Sequence, residues 1–255
     1  MKEWDLKNTM IDKLMSLGFS RSECEELIKV SKDIDSDYQR LLEGYPIQYL
    51  IGYVNFYGYK INVNENVLIP RYETEYLVEK TINYSKKLFN KKVNILDLGT
   101  GSGAISIALG KELDSNVTAI DISNSALEVA MMNAKENNLD IKFIKSDMLD
   151  EVSGKYDIVI SNPPYIDTDE KIMDSVKKYE PNIALFASED GLYFYKKIIS
   201  NIKPFLSEKF IIAFEIGWWQ GNFIKEIATE YFKDSKIMIE KDLTNRDRYI
   251  FIISE

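Results

Sequence analysis

The 255-residue chain carries 32 Lys and Arg against 41 Asp and Glu, a formal charge of −9 with no strongly basic stretch, which argues against naked nucleic acid as its main partner. A single cysteine, Cys24, excludes an intramolecular disulfide and a thiolate metal cage, and the absence of histidine removes the commonest metal ligand and the usual near-neutral general base. The expectation is chemistry without metal in a reducing, cytoplasmic protein, because the opening MKEWDLKNTMIDKLM lacks the marks of a secretory leader and no apolar run approaches the roughly 20 residues of a membrane span.

Met10, Leu14 and Leu17, then Leu27 and Ile28, recur at helical spacing, with Gly18 as a stop and Ser20 as an N-cap. They predict a small helical module over residues 1–50. From 53 to 69 the period changes to alternating and aromatic residues around Gly58 and Asn64, which predicts a β-hairpin linker within residues 51–70. After Arg71 strands and helices alternate: 93–98, 117–122, 141–146, 156–161 and 210–216 are short β-rich runs separated by helix-like stretches. Such alternation predicts a mostly parallel, doubly wound sheet over residues 71–255. KIMIEKDL and DRYIFIIS, joined by a short turn, predict a closing antiparallel hairpin. This is the layout of a Rossmann-like class I adenosylmethionine-dependent methyltransferase domain with seven strands, although fold alone does not fix chemistry.

The segment DLGTGSG, Asp97 to Gly103, sets Gly99, Gly101 and Gly103 between the first strand and a helix, with Thr100 and Ser102 between them. Glycines at such a turn let the backbone approach a ligand and aim N–H groups at it. Asp121 ends the next strand 20 positions after Gly101, where an acidic residue bonds a ribose diol. GTGSG is neither a dinucleotide fingerprint nor a P-loop. S-adenosylmethionine suits the loop, with Asp97 toward its amino-acid tail, Asp147 accepting from the adenine amino group and Met148 beside the ring.

The run YDIVI is followed by SNPPYI, so Asn162, Pro163, Pro164 and Tyr165 stand where a buried strand ends. Two prolines remove backbone donors and stiffen the loop, leaving its carbonyls and the Asn162 side chain as converging acceptors. That is a receptor for a planar NH2, with Tyr165 packing flat against it. The alternatives are an adenine methyltransferase acting on nucleic acid, which would carry a basic face and a target-recognition region, and a non-catalytic cofactor scaffold, which would not need the stiff loop.

In order along the chain, PIQYLIGYVNFYG, LIPRYETEYLVE, ILDLGTGSGAIS, VISNPPYI, YEPNIALFASEDGL, FEIGWWQG and KDLTNRDR resemble the release factor glutamine methyltransferases. The resemblance implies methyl transfer from S-adenosylmethionine, leaving S-adenosylhomocysteine, to the side-chain amide nitrogen of the glutamine in the GGQ loop of peptide-chain release factors. It places Gly99 to Gly103, Asp121, Met148 and Asn162 on cofactor positions, and Asn162 to Tyr165 on the glutamine-binding motif. The expected enzyme is a monomer, and its composition leads to the expectation of no metal. Tyr72 stands where the family usually has proline, and Met148 where it usually has an aromatic. Arg71 and Glu73 to Glu75 are expected to form a capped helix start. Tyr45 to Tyr59 and Trp218-Trp219 are expected to be packing aromatics.

Overall fold

The computed structural model describes residues 3–254. Helices α1 (Glu3–Ser16), α2 (Arg21–Val30) and α3 (Ile34–Leu42) are followed by a short α4 (Ile47–Ile51) that has no counterpart among the predicted elements. Ser20 opens α2 in a capping box: its hydroxyl accepts from the Glu23 N–H while the Glu23 carboxylate accepts from the Ser20 N–H. Ile11, Leu14, Cys24, Leu27, Leu41 and Ile47 form a small core of their own, and Leu50 packs against both this core and the larger one beyond it. Burial pushes the Cys24 thiol up, as expected of a packing cysteine.

The hairpin is shorter than the sequence pattern suggests. Strands β1 (Tyr53–Phe56) and β2 (Tyr59–Asn62) pair across Tyr57 and Gly58, both at positive φ, as in a two-residue primed turn. Residues 63–69 pair with no strand. Val63, Val67 and Ile69 are buried at intervals, which imitates strand alternation, while the Asn64 side chain accepts from the Asn66 N–H in an Asx turn.

The remaining elements are α5 (Tyr72–Leu88), β3 (Val93–Leu98), α6 (Ala104–Glu112), β4 (Ser115–Asp121), α7 (Asn124–Glu136), β5 (Ile141–Lys145), β6 (Tyr156–Ser161), β7 (Ile166–Asp167), α8 (Asp174–Tyr179), β8 (Phe186–Ala187), α9 (Tyr193–Asn201), β9 (Leu206–Glu215), α10 (Gly221–Tyr231), β10 (Lys236–Lys241) and β11 (Asp247–Ser254). Seven strands run in the order β10-β11-β9-β6-β3-β4-β5, with β11 antiparallel to both neighbours and the other pairs parallel. Separate apolar clusters cover the two faces, so β3, β6 and the 210–215 part of β9 are almost continuously buried. The expected parallel sheet with a closing antiparallel hairpin is therefore present. Among the described residues no helix is long and apolar enough to cross a membrane.

Candidate active site

Because β3, β4, β5 and β6 are parallel, the loops after them converge on one edge of the sheet, where ligands bind in open α/β folds. Asp97, near the end of β3, is wholly buried. Its Oδ2 accepts from the hydroxyls of Thr100 and Ser106, each at 2.7 Å, and its Oδ1 has no partner among the described residues. Burial pushes the carboxyl up to about 6 from the ordinary 3.8, against the pull of Ser106 and Thr100. A buried carboxylate oxygen lacking a donor is a place where a donor belongs.

Gly99, Gly101 and Gly103 all take positive φ. At Gly103 an added Cβ would also lie 3.2 Å from the Ala130 Cβ, so the glycine permits α6 to start against α7. The Ser102 carbonyl accepts from Nδ2 of Asn133, a wholly buried residue whose Oδ1 accepts from both the backbone and the side chain of Asn62. Asn133 thus ties the hairpin to the glycine loop. At the end of β4, Asp121 takes the Gly101 N–H on Oδ2 and the Ser123 N–H on Oδ1, each at 2.9 Å. Burial raises its carboxyl and these N–H groups oppose the rise.

A cavity of about 250 Å³ brings together Gly99, Gly101, Asp121, Asp147, Met148, Asn162 and Pro164, with Leu68, Ile122, Ser146, Ile183, Ala184, Tyr193 and Phe194 completing its wall. Thr100, Ser102, Gly103 and Asp97 are not in that wall; they stand behind it and shape the loop. Asp147 faces the cavity with Oδ2 already paired to Lys197 Nζ at 2.8 Å, which leaves Oδ1 for another donor. The edge-to-face pair Tyr193 and Phe194 supplies the aromatic surface that Met148 does not. Nothing in the sequence pattern singled it out.

A second cavity of about 100 Å³ lies on the other side of Asn162 and is lined by Arg71, Pro163, Tyr165, Glu215 and apolar neighbours. The NPPY residues therefore face two ways, Pro164 to the larger cavity, Pro163 and Tyr165 to the smaller, Asn162 to both. Asn162 Nδ2 donates to Thr74 Oγ1 at 3.2 Å, and Thr74 Oγ1 donates to Glu215 Oε2 at 2.6 Å. Glu215 is wholly enclosed, so burial raises its carboxyl, while Thr74 and Arg248 hold it down. Burial likewise raises the Tyr165 phenol, with the Glu215 charge adding to it.

Three expectations need correction. The carbonyl of Tyr165 is not free: it accepts from Nε2 of the buried Gln220 at 3.0 Å, while Gln220 Oε1 takes the Gly217 N–H. Arg71 precedes α5, but its side chain makes no cap; it pairs with Glu180 Oε1 at 2.5 Å, and Glu180 Oε2 accepts from the Ile69 N–H. Trp218 is not sheet packing, for it is 59% exposed, whereas Tyr45, Tyr49 and Phe56 are buried as expected. Tyr72, the first residue of α5, is exposed and stacks edge-to-face on Tyr76.

The family model described as methyltransferase small domain matches residues 75–179. The release factor glutamine methyltransferase of Lactococcus lactis is 41% identical over 242 residues, covering 94% of this chain and 86% of the relative. That of Streptococcus pneumoniae is 41% identical, covering 86% and 78%. Among solved structures, a methyltransferase from Pyrococcus furiosus matches with a TM-score of 0.58 at 18% identity, covering 86% of this chain and 98% of that one. A 16S rRNA methyltransferase of T. Thermophilus in complex with AdoMet and guanosine also gives 0.58, at 14% identity, covering 80% and 50%. The structural likenesses bear on the fold alone, which is that of the class I methyltransferases. The sequence relatives span both cavities and nearly the whole chain, and by that measure the chain belongs to the release factor glutamine methyltransferase family.

Proposed function

We propose that this chain transfers the methyl group of S-adenosylmethionine to the side-chain amide nitrogen (N5) of the glutamine in the GGQ motif of peptide-chain release factors, in the cytoplasm. The observation that carries the reading is Asn162, which borders a larger cavity shared with the glycine loop and a smaller one shared with Pro163 and Tyr165. In this reading the larger cavity holds the cofactor, which when bound supplies an electrophilic methyl. Asp121 accepts from the ribose hydroxyls with the lone pairs its two N–H partners leave free, and Asp147 Oδ1 accepts from the adenine amino group. Asp97 Oδ1 satisfies the ammonium of the amino-acid tail, directly or through a water.

The acceptor amide enters the smaller cavity. Its nitrogen lone pair is delocalised, and the same resonance produces a rotation barrier of about 18 to 20 kcal/mol. Asn162 Oδ1 and the proline-stiffened backbone accept its N–H bonds and hold the nitrogen in line for attack. Alignment of this kind contributes up to about 7 to 11 kcal/mol in favourable cases. A neutral Asn, unlike a carboxylate, does not stabilise the cationic ground state of the donor more than a transition state in which that charge fades. The proton leaves only after methylation has made the nitrogen acidic, so no strong base is needed.

We further propose that residues 1–50 dock the release factor, with 51–70 as linker and 71–255 as the catalytic unit. A groove of about 1060 Å³ supports this, running between Phe19, Pro46 and the 171–176 segment and reaching Arg71 beside the smaller cavity. The test is transfer of labelled methyl to a purified release factor, beside its GGQ Gln→Ala variant and a duplex DNA control. Label on the wild-type factor alone supports the reading; label on DNA or on nothing overturns it. Asn162→Ala is expected to abolish transfer with cofactor affinity nearly intact.

A further inference from the structure

A primary amide has a donor end and an acceptor end, and which end faces the acceptor cavity decides whether Asn162 can hold an NH2 group there. Hydrogen-bond chemistry around it settles the matter. An ionised Glu215 only accepts, so the single proton of Thr74 Oγ1 is committed to Glu215 Oε2 at 2.6 Å. The lone pairs left on Thr74 then face the Asn162 atom 3.2 Å away, and only Nδ2 can serve them. Oδ1 is thereby left for the acceptor side.

We infer that Thr74, backed by Glu215, is a positioning residue that fixes the Asn162 amide with its oxygen available to the acceptor and thereby selects an acceptor that donates N–H. The inference rests on the reading of the site as an amide methyltransferase. Both members are themselves held. Thr74 is buried in the first turn of α5, its N–H bonded to the Arg71 carbonyl, and the Glu215 carbonyl accepts from Tyr195 Oη at 2.7 Å. The relay joins α5, β9 and the loop after β6, three segments distant in sequence. A mere tether between helix and sheet would also explain a buried threonine on a carboxylate, but a tether predicts lost stability without a change in turnover.

Thr74→Val removes the hydroxyl at nearly constant shape, and Thr74→Ser keeps it. In the full-length protein with S-adenosylhomocysteine bound, the Asn162 side-chain amide resonances, assigned by their loss in Asn162→Asp, should be single and protected from exchange in the wild type. They should be doubled or exchange-broadened in Thr74→Val and restored in Thr74→Ser. Turnover on the release factor should fall about 100-fold in Thr74→Val, the scale expected of a misplaced reacting group, with KM for S-adenosylmethionine unchanged and turnover largely recovered in Thr74→Ser. Wild-type resonances and turnover in Thr74→Val, or a fall in melting temperature alone, would overturn the inference. If the wild type labels no release factor while the Asn162 resonances still respond to Thr74→Val, the proposed acceptor is wrong and the positioning role stands.

Discussion

Gly191 lies so close under the carbonyl of Tyr165 that an added Cβ would stand 2.1 Å from that oxygen and 2.5 Å from Gln220 Nε2. Its φ of +74° disfavours a side chain as well. Gly191→Ala must therefore push the NPPY loop or break its bond to Gln220. We expect turnover to fall by about 10- to 100-fold while cofactor affinity, read by calorimetry, stays near wild type. Equal turnover would show that the loop tolerates displacement.

Asp97 gives a pH dependence with a definite sign. Its carboxyl is raised in the fold to about 6 from the ordinary 3.8, so the fold binds this proton more tightly than the unfolded chain does. The resulting stabilisation is complete below about pH 4 and lost as pH rises through about 6, a change of roughly 3 kcal/mol through this one group. Urea unfolding of the ligand-free protein at pH 4.5 and 7.5 should capture about 2 kcal/mol of it, and Asp97→Asn should remove that share, leaving what the raised Asp121 and Glu215 carboxyls add, while weakening S-adenosylmethionine.

Asp121→Ala deletes the carboxylate that both orders the glycine loop and faces the cavity. Cofactor affinity is expected to drop by the equivalent of about 1.5 to 3 kcal/mol, the range for hydrogen bonds to a charged group. Isothermal titration of S-adenosylhomocysteine measures it, and unchanged affinity would remove Asp121 from the cofactor site.

Arg71→Ala leaves Glu180, whose side chain is 2% exposed, without its only ion-pair partner among the described residues. Arg71 is itself 36% exposed, so solvent screens part of the pair and the loss should sit near the low end of about 1.5 to 3 kcal/mol. Arg71→Lys should recover a good part of it, because the pair is a single Nη2–Oε1 contact that one ammonium can also make, the other carboxylate oxygen being held by the Ile69 N–H. Chemical unfolding decides.

What the sequence made legible was local. Gly99 to Gly103, Asp121 and the NPPY run each occupy a strand end, and strand ends are visible as the close of a β-rich run. Thr74, Glu215 and Asn162 were not legible as one device, because Thr74 and Glu215 stand 141 positions apart and meet only once β9 has taken its place beside β6. Tyr193 and Phe194 were missed for the same reason. The pattern over 63–69 reads as strand because Val63 and Val67 are buried by the main core, a tertiary cause that imitates strand periodicity. Trp218 is exposed although large aromatics are usually buried, because that tendency is a prior and not a geometry.

The order of the sheet also constrains how the chain can assemble. Strand β11 follows every other strand in sequence but lies between β9 and β10. On a ribosome, β9 must emerge and wait with one edge unpaired, and its 210–214 run is entirely apolar and buried in the finished fold. Strand β10 cannot relieve it, since β10 joins the sheet only through β11. Nascent chains that stall before Asp247 would expose this apolar edge, the kind of surface on which aggregation begins and chaperones act.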